Sequence, residues 1–316
     1  MRNIHRNKNQ KAVFVLAHDA GGAEILAAFI RKNKKRKHFI VYAGGPARAV
    51  FKRVHIPYRL EPKRAELRKV IEKHRGALAL LGTGGPRDIE LAALKEAKRQ
   101  GMKTVAYIDS WTRYRERFVD SWKSYRERFV YPVRGWQKNL PDEIWVGDIH
   151  ALALAKRYFT AARIRFVPNQ YFATIANLYR SRALKTSRSK SILYMSAAGR
   201  LSEKLLGDFL AECSRRKVAF IVRVRMHPED RRVRYERIIR LHGQGVRVEL
   251  SREKDIINDL LRARVVVGPE TNALVPAFFA GIRTIRIMPK GENPFLPFQG
   301  IIKVKSAKDA VREIDV

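Results

Sequence analysis

Runs of β-type apolar residues alternate with amphipathic stretches of helical period almost from end to end of this chain, and that alternation constrains its fold more than any other feature. A run that is apolar throughout, rather than at every second position, belongs to a strand covered on both faces. Strands of that kind sit in parallel sheets flanked by helices. The runs at 12–17, 39–43, 77–81, 104–108 and 143–146 predict one set of strands, and those at 192–195, 219–224, 247–250, 265–267 and 284–287 a second. Between them lie helical stretches such as 24–31, which places Ile25, Leu26, Phe29 and Ile30 on one face. The segment 181–190, SRALKTSRSK, is basic and has no apolar period, so it reads as a linker. The prediction is an α/β chain of two Rossmann-like parallel-sheet domains facing a cleft, residues 1–175 and 176–316; 316 residues leave room for both.

In such sheets ligands bind beyond the carboxyl ends of the strands, so the residues just after each run carry the functional reading. In the second half these are Ser196-Ala-Ala-Gly199-Arg200, Arg225-Met-His227-Pro228 and Gly268-Pro269-Glu270-Thr271-Asn272. The His-Pro pair stops a strand sharply and leaves an imidazole at its mouth. A helix opening at Thr271 offers unpaired amides and a positive dipole end to an anion such as a pyrophosphate. Arg200 or Arg225 can neutralise phosphate, and Glu270 can accept hydrogen bonds from a ribose diol. The plainer alternatives are a structural histidine and a carboxylate that merely matches a helix N-terminus.

In the first half, His18-Asp19-Ala20-Gly21-Gly22 follows the first run, and Gly82-Thr83-Gly84-Gly85-Pro86 follows another. Paired glycines let the backbone turn tightly and approach a ligand, and Pro86 suits the first turn of a helix ending near Arg99. His18 and Asp19 are candidate general bases; the alternative is that Asp19 caps the helix while His18 packs on the turn. Asp109 ends a further strand, where it points a carboxylate inward or caps a helix beginning at Ser110.

Asp109-Ser-Trp-Thr-Arg-Tyr-Arg-Glu-Arg-Phe-Val119 is repeated at once in residues 120–130 with only two changes. Eleven residues are about three helical turns, so a helical copy keeps its aromatic residues on the same faces. One reading is an aromatic, basic lip that stacks a base or touches membrane. The segment carries six basic and four acidic residues, no excess over the rest of the chain, and this favours a tolerated insertion at the surface.

The formal net charge is +36, from 66 Lys and Arg against 30 Asp and Glu. Because the basic residues run through both halves, they form a field that attracts polyanions rather than one nucleic-acid stripe. The only cysteine is Cys213, which rules out an internal disulfide and a Cys-based zinc site. No stretch reads as a signal peptide or a membrane span. The chain is expected in the cytoplasm or peripheral at the inner face of the membrane.

The glycine-rich first turn at Gly21-Gly22, the His227-Pro228 dipeptide and Gly268-Pro269-Glu270-Thr271 leading into Ala273–Gly281 together resemble the GT-B glycosyltransferase superfamily. The resemblance takes in the UDP-N-acetylglucosamine 2-epimerase-like, polysialyltransferase-like and glycerophosphotransferase-like branches and covers nearly the whole chain as an ordered βα pattern. It implies a donor nucleotide held by His227, Glu270, Thr271 and Asn272, and an acceptor facing His18 or Asp19. It also implies chemistry without a metal, with no cofactor beyond the nucleotide-activated sugar that is the substrate; the chain has no Asp-x-Asp. The expected enzyme transfers a sugar from a nucleotide donor to a cell-envelope or polysaccharide acceptor, saccharide or lipid-linked. A nucleotide-sugar epimerase and a non-catalytic protein binding RNA or DNA on the same scaffold are the alternatives.

Overall fold

The computed structural model describes residues 12–84, 89–119, 135–183, 191–228 and 230–314. The chain divides into two compact units, Met1–Tyr171 and Phe172–Val316, so the division falls inside the helix Gln170–Ala183. Of the expected linker, 181–183 close that helix and 184–190 lie outside the described residues.

The first unit holds a seven-stranded sheet in the order β3-β2-β1-β4-β5-β6-β7, parallel at every pairing. Its strands are β1 (Ala12–Ala17), β2 (His38–Ala43), β3 (Arg59–Leu60), β4 (Leu78–Leu81), β5 (Thr104–Ile108), β6 (Glu143–Val146) and β7 (Arg163–Phe166). The central strand β1 is buried from Val13 to Ala17. Helix Ala20–Asn33 packs Ile25, Leu26 and Ile30 against it, each fully buried aliphatic side chain contributing about 1.5–3 kcal/mol. The chain winds outward from β1 to β3, then returns to pair β4 with the other edge of β1. That reversal is the topological switch point of this sheet.

The second unit repeats the plan with six parallel strands in the order β10-β9-β8-β11-β12-β13. These are β8 (Ser191–Met195), β9 (Ile221–Arg225), β10 (Val248–Leu250), β11 (Ala263–Pro269), β12 (Arg283–Ile287) and β13 (Ile302–Val304). Helix Arg200–Arg215 buries Leu205, Leu206, Phe209, Leu210 and Cys213. The last helix, Ala307–Ile314, buries Ala307, Ala310, Val311 and Ile314, at i, i+3, i+4 and i+7. Both cover the same sheet core. Here the switch point lies between β8 and β11.

All ten strands expected from the apolar runs are present, and β3, β7 and β13 extend the sheets beyond them. Each of the three is an edge or near-edge strand of two to four residues carrying a charged side chain, too short and too polar to stand out from a loop. The Arg59–Leu60 pair is wholly exposed.

Candidate functional site

The first switch point gathers carboxylates. His18 and Asp19 follow β1, Gly82-Thr83-Gly84 follows β4, and Asp109 follows β5. Helix Ile89–Arg99 adds Glu90, which no motif in the sequence singles out. The Glu90 carboxyl accepts the backbone N–H of His18 at Oε1 (2.9 Å) and of Gly84 at Oε2 (2.6 Å). Burial, followed by the neighbouring charges of Asp19 and Asp109, pushes its pKa up to about 8 against the pull of those two amides. The carboxyl is therefore largely protonated at neutral pH.

Three glycines admit these groups. A Cβ built on Gly84 would lie 2.6 Å from both Asp19 Oδ2 and Glu90 Oε2, one on Gly82 2.5 Å from Glu90 Oε1, and one on Gly21 2.6 Å from Asp109 Oδ2. Asp19 stands at the N-cap of helix Ala20–Asn33 without making a side-chain cap hydrogen bond. Asp109 reaches over the first turn of that helix and pairs with Arg117 at 2.9 Å. Arg117 also donates to the carbonyl and hydroxyl of Thr83 and to Ser110 Oγ, while Thr83 Oγ1 donates to the Tyr107 carbonyl. A cavity of about 20 Å³, large enough for one water, lies among Gly82, Gly84, Glu90 and Arg117.

His18 is paired through Nδ1 with Glu61 Oε2 at 2.7 Å, both side chains being mostly buried. Glu61 follows β3 and owes its place to the Gly44-Gly45 turn after β2. Any Cβ on Gly44 would collide with its carboxylate, and one on Gly45, at φ +38°, would lie 2.5 Å from His18 Nε2. A glycine pair closing an apolar run is the signal that would have flagged this turn in the sequence.

Arg117 belongs to the first copy of the duplication, which is neither helical throughout nor a surface segment. Residues 109–119 form bends and turns ending in the short 3₁₀ helix Glu116–Phe118, and they are core rather than surface. Trp111, Tyr114 and Phe118 are at most 5% exposed. The Trp111 indole donates to Asp148, Tyr114 Oη donates to the Ala151 carbonyl, and Tyr114 and Phe118 pack on Phe159. These anchors override the helical period, which the copy does not adopt. The second copy, 120–130, lies outside the described residues, as do Gly85 and Pro86.

At the second switch point, the registers of β8 and β11 bring Met195 beside Gly268, where a Cβ would strike the Met195 carbonyl. Only glycine lets the two strands close here. Gly199, at φ +99°, opens the sixteen-residue helix Arg200–Arg215, and Arg200 is exposed at its first turn. This long helix adds a second N-terminus at the carboxyl edge of the sheet, besides the one expected at Thr271. Thr271 caps only a single 3₁₀ turn, Asn272–Leu274, which runs into the five-residue helix Val275–Phe279, while Asn272 itself is exposed.

Three further donor candidates are engaged within the unit. Ser196 is buried in a relay with Ser202 Oγ (2.9 Å) and Tyr235 Oη (2.7 Å); Tyr235 in turn reaches Asp230 (2.6 Å). Burial and that carboxylate push the tyrosine up to about 12. Arg225 pairs with the buried Asp259 at 2.6 Å. Glu270 takes the Arg286 guanidinium at 3.1 Å and the backbone N–H groups of Phe295 and Leu296 at 2.8 Å each. It ties β11 to β12 and to the loop before β13. His227, part-exposed at the end of β9, accepts the Asp230 N–H at its carbonyl. No group of three or more His, Cys, Asp or Glu among the described residues is disposed to hold a metal ion, and no helix among them is long and apolar enough to cross a membrane.

No family model and no curated protein matches the chain. Solved structures do. The chain is similar to a UDP-GlcNAc 2-epimerase from Neisseria meningitidis bound to UDP-GlcNAc, with a TM-score of 0.66, 13% identity, and coverage of 97% of this chain and 91% of that one. It is similar to a glycosyltransferase from Rickettsia africae at TM-score 0.60 and 11% identity, covering 97% and 88%. A third is Anabaena HepE in complex with UDP and glucose, at TM-score 0.60 and 11% identity, covering 97% and 89%. At such identities the likeness speaks for the fold alone, a GT-B fold of two Rossmann-like units, each built on a parallel sheet.

Proposed function

We propose that the chain is a nucleotide-sugar enzyme that transfers a sugar from a nucleotide-activated donor to a hydroxyl acceptor. The observation that carries this reading is the proton arrangement at the first switch point. Glu90 holds a proton near neutral pH, and the Asp19 carboxyl stands beside it at the same glycine turn, so a proton donor and a candidate base share one site. His18, held through Nδ1 by Glu61, is the second candidate base. Arg117 fixes the position of Asp109 at the same turn. In the second unit the amides opening helix Arg200–Arg215, with Arg200 and His227, would receive the diphosphate and stabilise the departing nucleotide. Glu270, tied to Arg286 and to the amides of Phe295 and Leu296, would shape the loop before β13, leaving Oε2 with the weaker contact as the oxygen able to meet a ribose hydroxyl.

Epimerisation of the nucleotide sugar is the second reading, favoured by the same acid–base pair, because removing and returning a proton at a sugar carbon needs both members. The two separate in D₂O. With UDP-N-acetylglucosamine as probe, a transferase releases UDP only when an acceptor is added, whereas an epimerase carries solvent deuterium into the sugar without one. Calorimetry that finds no saturable site for UDP or UDP-sugar, together with tight RNA binding near physiological salt, would overturn both readings in favour of a polyanion-binding scaffold.

A further inference from the structure

Helix Arg232–His242 in the second unit shows two unlike faces. Its inner face sets the fully buried Tyr235, with Ile238 and Ile239, against the sheet core. Its outer face carries Val233, Arg237, Arg240 and Leu241, at i, i+4, i+7 and i+8, flanked by Arg232 and Arg234. Val233 is 64% and Leu241 59% exposed, among the most exposed large aliphatic residues described.

The charges on this face differ in how they are held. Arg232 is paired with Glu236 at 2.7 Å and Arg234 with Glu203 at 3.1 Å. Arg231, Arg237 and Arg240 make no ion pair among the described residues, and all three are exposed. Along the helix, Val233 and Leu241 stand about 12 Å apart with the two unpaired guanidinium groups between them. A charge run that served only solubility would not need aliphatic side chains at both ends, and a nucleic-acid face would place aromatic or polar groups there to meet bases. Guanidinium groups that grip phosphate, bracketed by aliphatic side chains, match the boundary between headgroups and acyl chains.

We propose that this helix face is a docking surface for an anionic lipid bilayer, with Arg231, Arg237 and Arg240 on the phosphates and Val233 and Leu241 seated below them. The inference does not rest on the nucleotide-sugar reading, since no residue of this face belongs to either switch point.

Co-sedimentation of the full chain with vesicles of phosphatidylglycerol and phosphatidylcholine, over a salt series, tests it. Arg237→Gln/Arg240→Gln should weaken vesicle binding about thirtyfold, from about fivefold per cation near an anionic surface. Lys34→Gln/Arg36→Gln removes the same charge from an exposed loop of the first unit and should cost less than about threefold. Val233→Asn/Leu241→Asn leaves the charge untouched and should weaken vesicle binding about tenfold while leaving RNA binding and UDP affinity as in the parent. Equal losses for the two charge-neutralising pairs, or undiminished vesicle binding by Val233→Asn/Leu241→Asn, would overturn the proposal. So would an Arg237→Gln/Arg240→Gln variant that loses RNA binding and keeps vesicle binding, because the face would then belong to nucleic acid.

Discussion

The backbone N–H of His18 donates to Glu90 Oε1 at 2.9 Å, across 72 positions of sequence. The turn that carries one candidate base is thereby fastened to a buried acid whose proton state governs the electrostatics around it. A change at Glu90 should be felt in stability and in the pH profile together.

Glu90→Gln tests that coupling. The folded protein holds the Glu90 proton up to a pKa of about 8, whereas an unfolded chain releases it near the ordinary value of 4.5. Between those limits the folded state binds more protons, so its stability falls as pH rises from about 4.5 to about 8 and levels off above. Melting curves from pH 5 to 9 should show this decline in the parent and a flatter profile in the variant. Parallel slopes would show that Glu90 titrates normally.

Arg117→Leu strands Asp109, whose side chain is 13% exposed in the folded protein. Breaking such a pair from one side should cost about 3 kcal/mol in urea melts. Adding Asp109→Asn should restore most of the loss, because the uncompensated charge goes with it. A double variant no better than the single one would assign the loss to the Arg117 hydrogen bonds on Thr83 and Ser110 instead.

His227→Ala and Glu270→Ala should part company. His227 ends β9 part-exposed, so its loss is expected to lower UDP affinity by about 1.5–3 kcal/mol in calorimetry without moving the melting temperature. Glu270→Ala leaves Arg286, only 9% exposed, without its carboxylate. It should destabilise the fold by about 3 kcal/mol, with any change in affinity secondary.

Removing 120–130, or removing 109–119 instead, produces chains that differ only at Thr112-Arg113 against Lys-Ser. Neither of those first-copy positions is buried, whereas Trp111, Tyr114 and Phe118 are. Both deletions should therefore fold, with melting temperatures within about 2 °C of each other and equal UDP affinity. Circular dichroism in which one folds and the other does not would show that the identity of this pair matters.

Central strands such as β1, β5, β8 and β11 were legible because a strand buried on both faces has little room for polar side chains. The edge strand Arg59–Leu60 escapes that demand and leaves no trace. The glycine turns after β1 and β4 were legible for the same kind of reason. Glu90 was not, since an acid on a helix is ordinarily solvated and only the tertiary fold turns this one inward. Arg117 was hidden by number, one among 66 basic residues, and Glu61 becomes visible only when β3 is placed beside β2. The helical opening at Thr271 was legible from its cap and from Pro276 in the first turn of Val275–Phe279, but not the 3₁₀ turn Asn272–Leu274 that begins it.

The glycines at 21, 44, 82 and 84 each stand against a carboxylate oxygen, those of Asp109, Glu61, Glu90 and the Asp19–Glu90 pair. The main chain thus acts as a mould whose depth is set to the length of each acid. Identity of charge is not enough in such a mould: Asp19→Glu or Asp109→Glu drives an extra methylene into backbone that cannot retreat, and Glu90→Asp withdraws from the two amides it serves. The chemistry of the pocket is gauged in carbon–carbon bonds as much as in protons, and an acid of another length at these positions would not fit, whatever its charge.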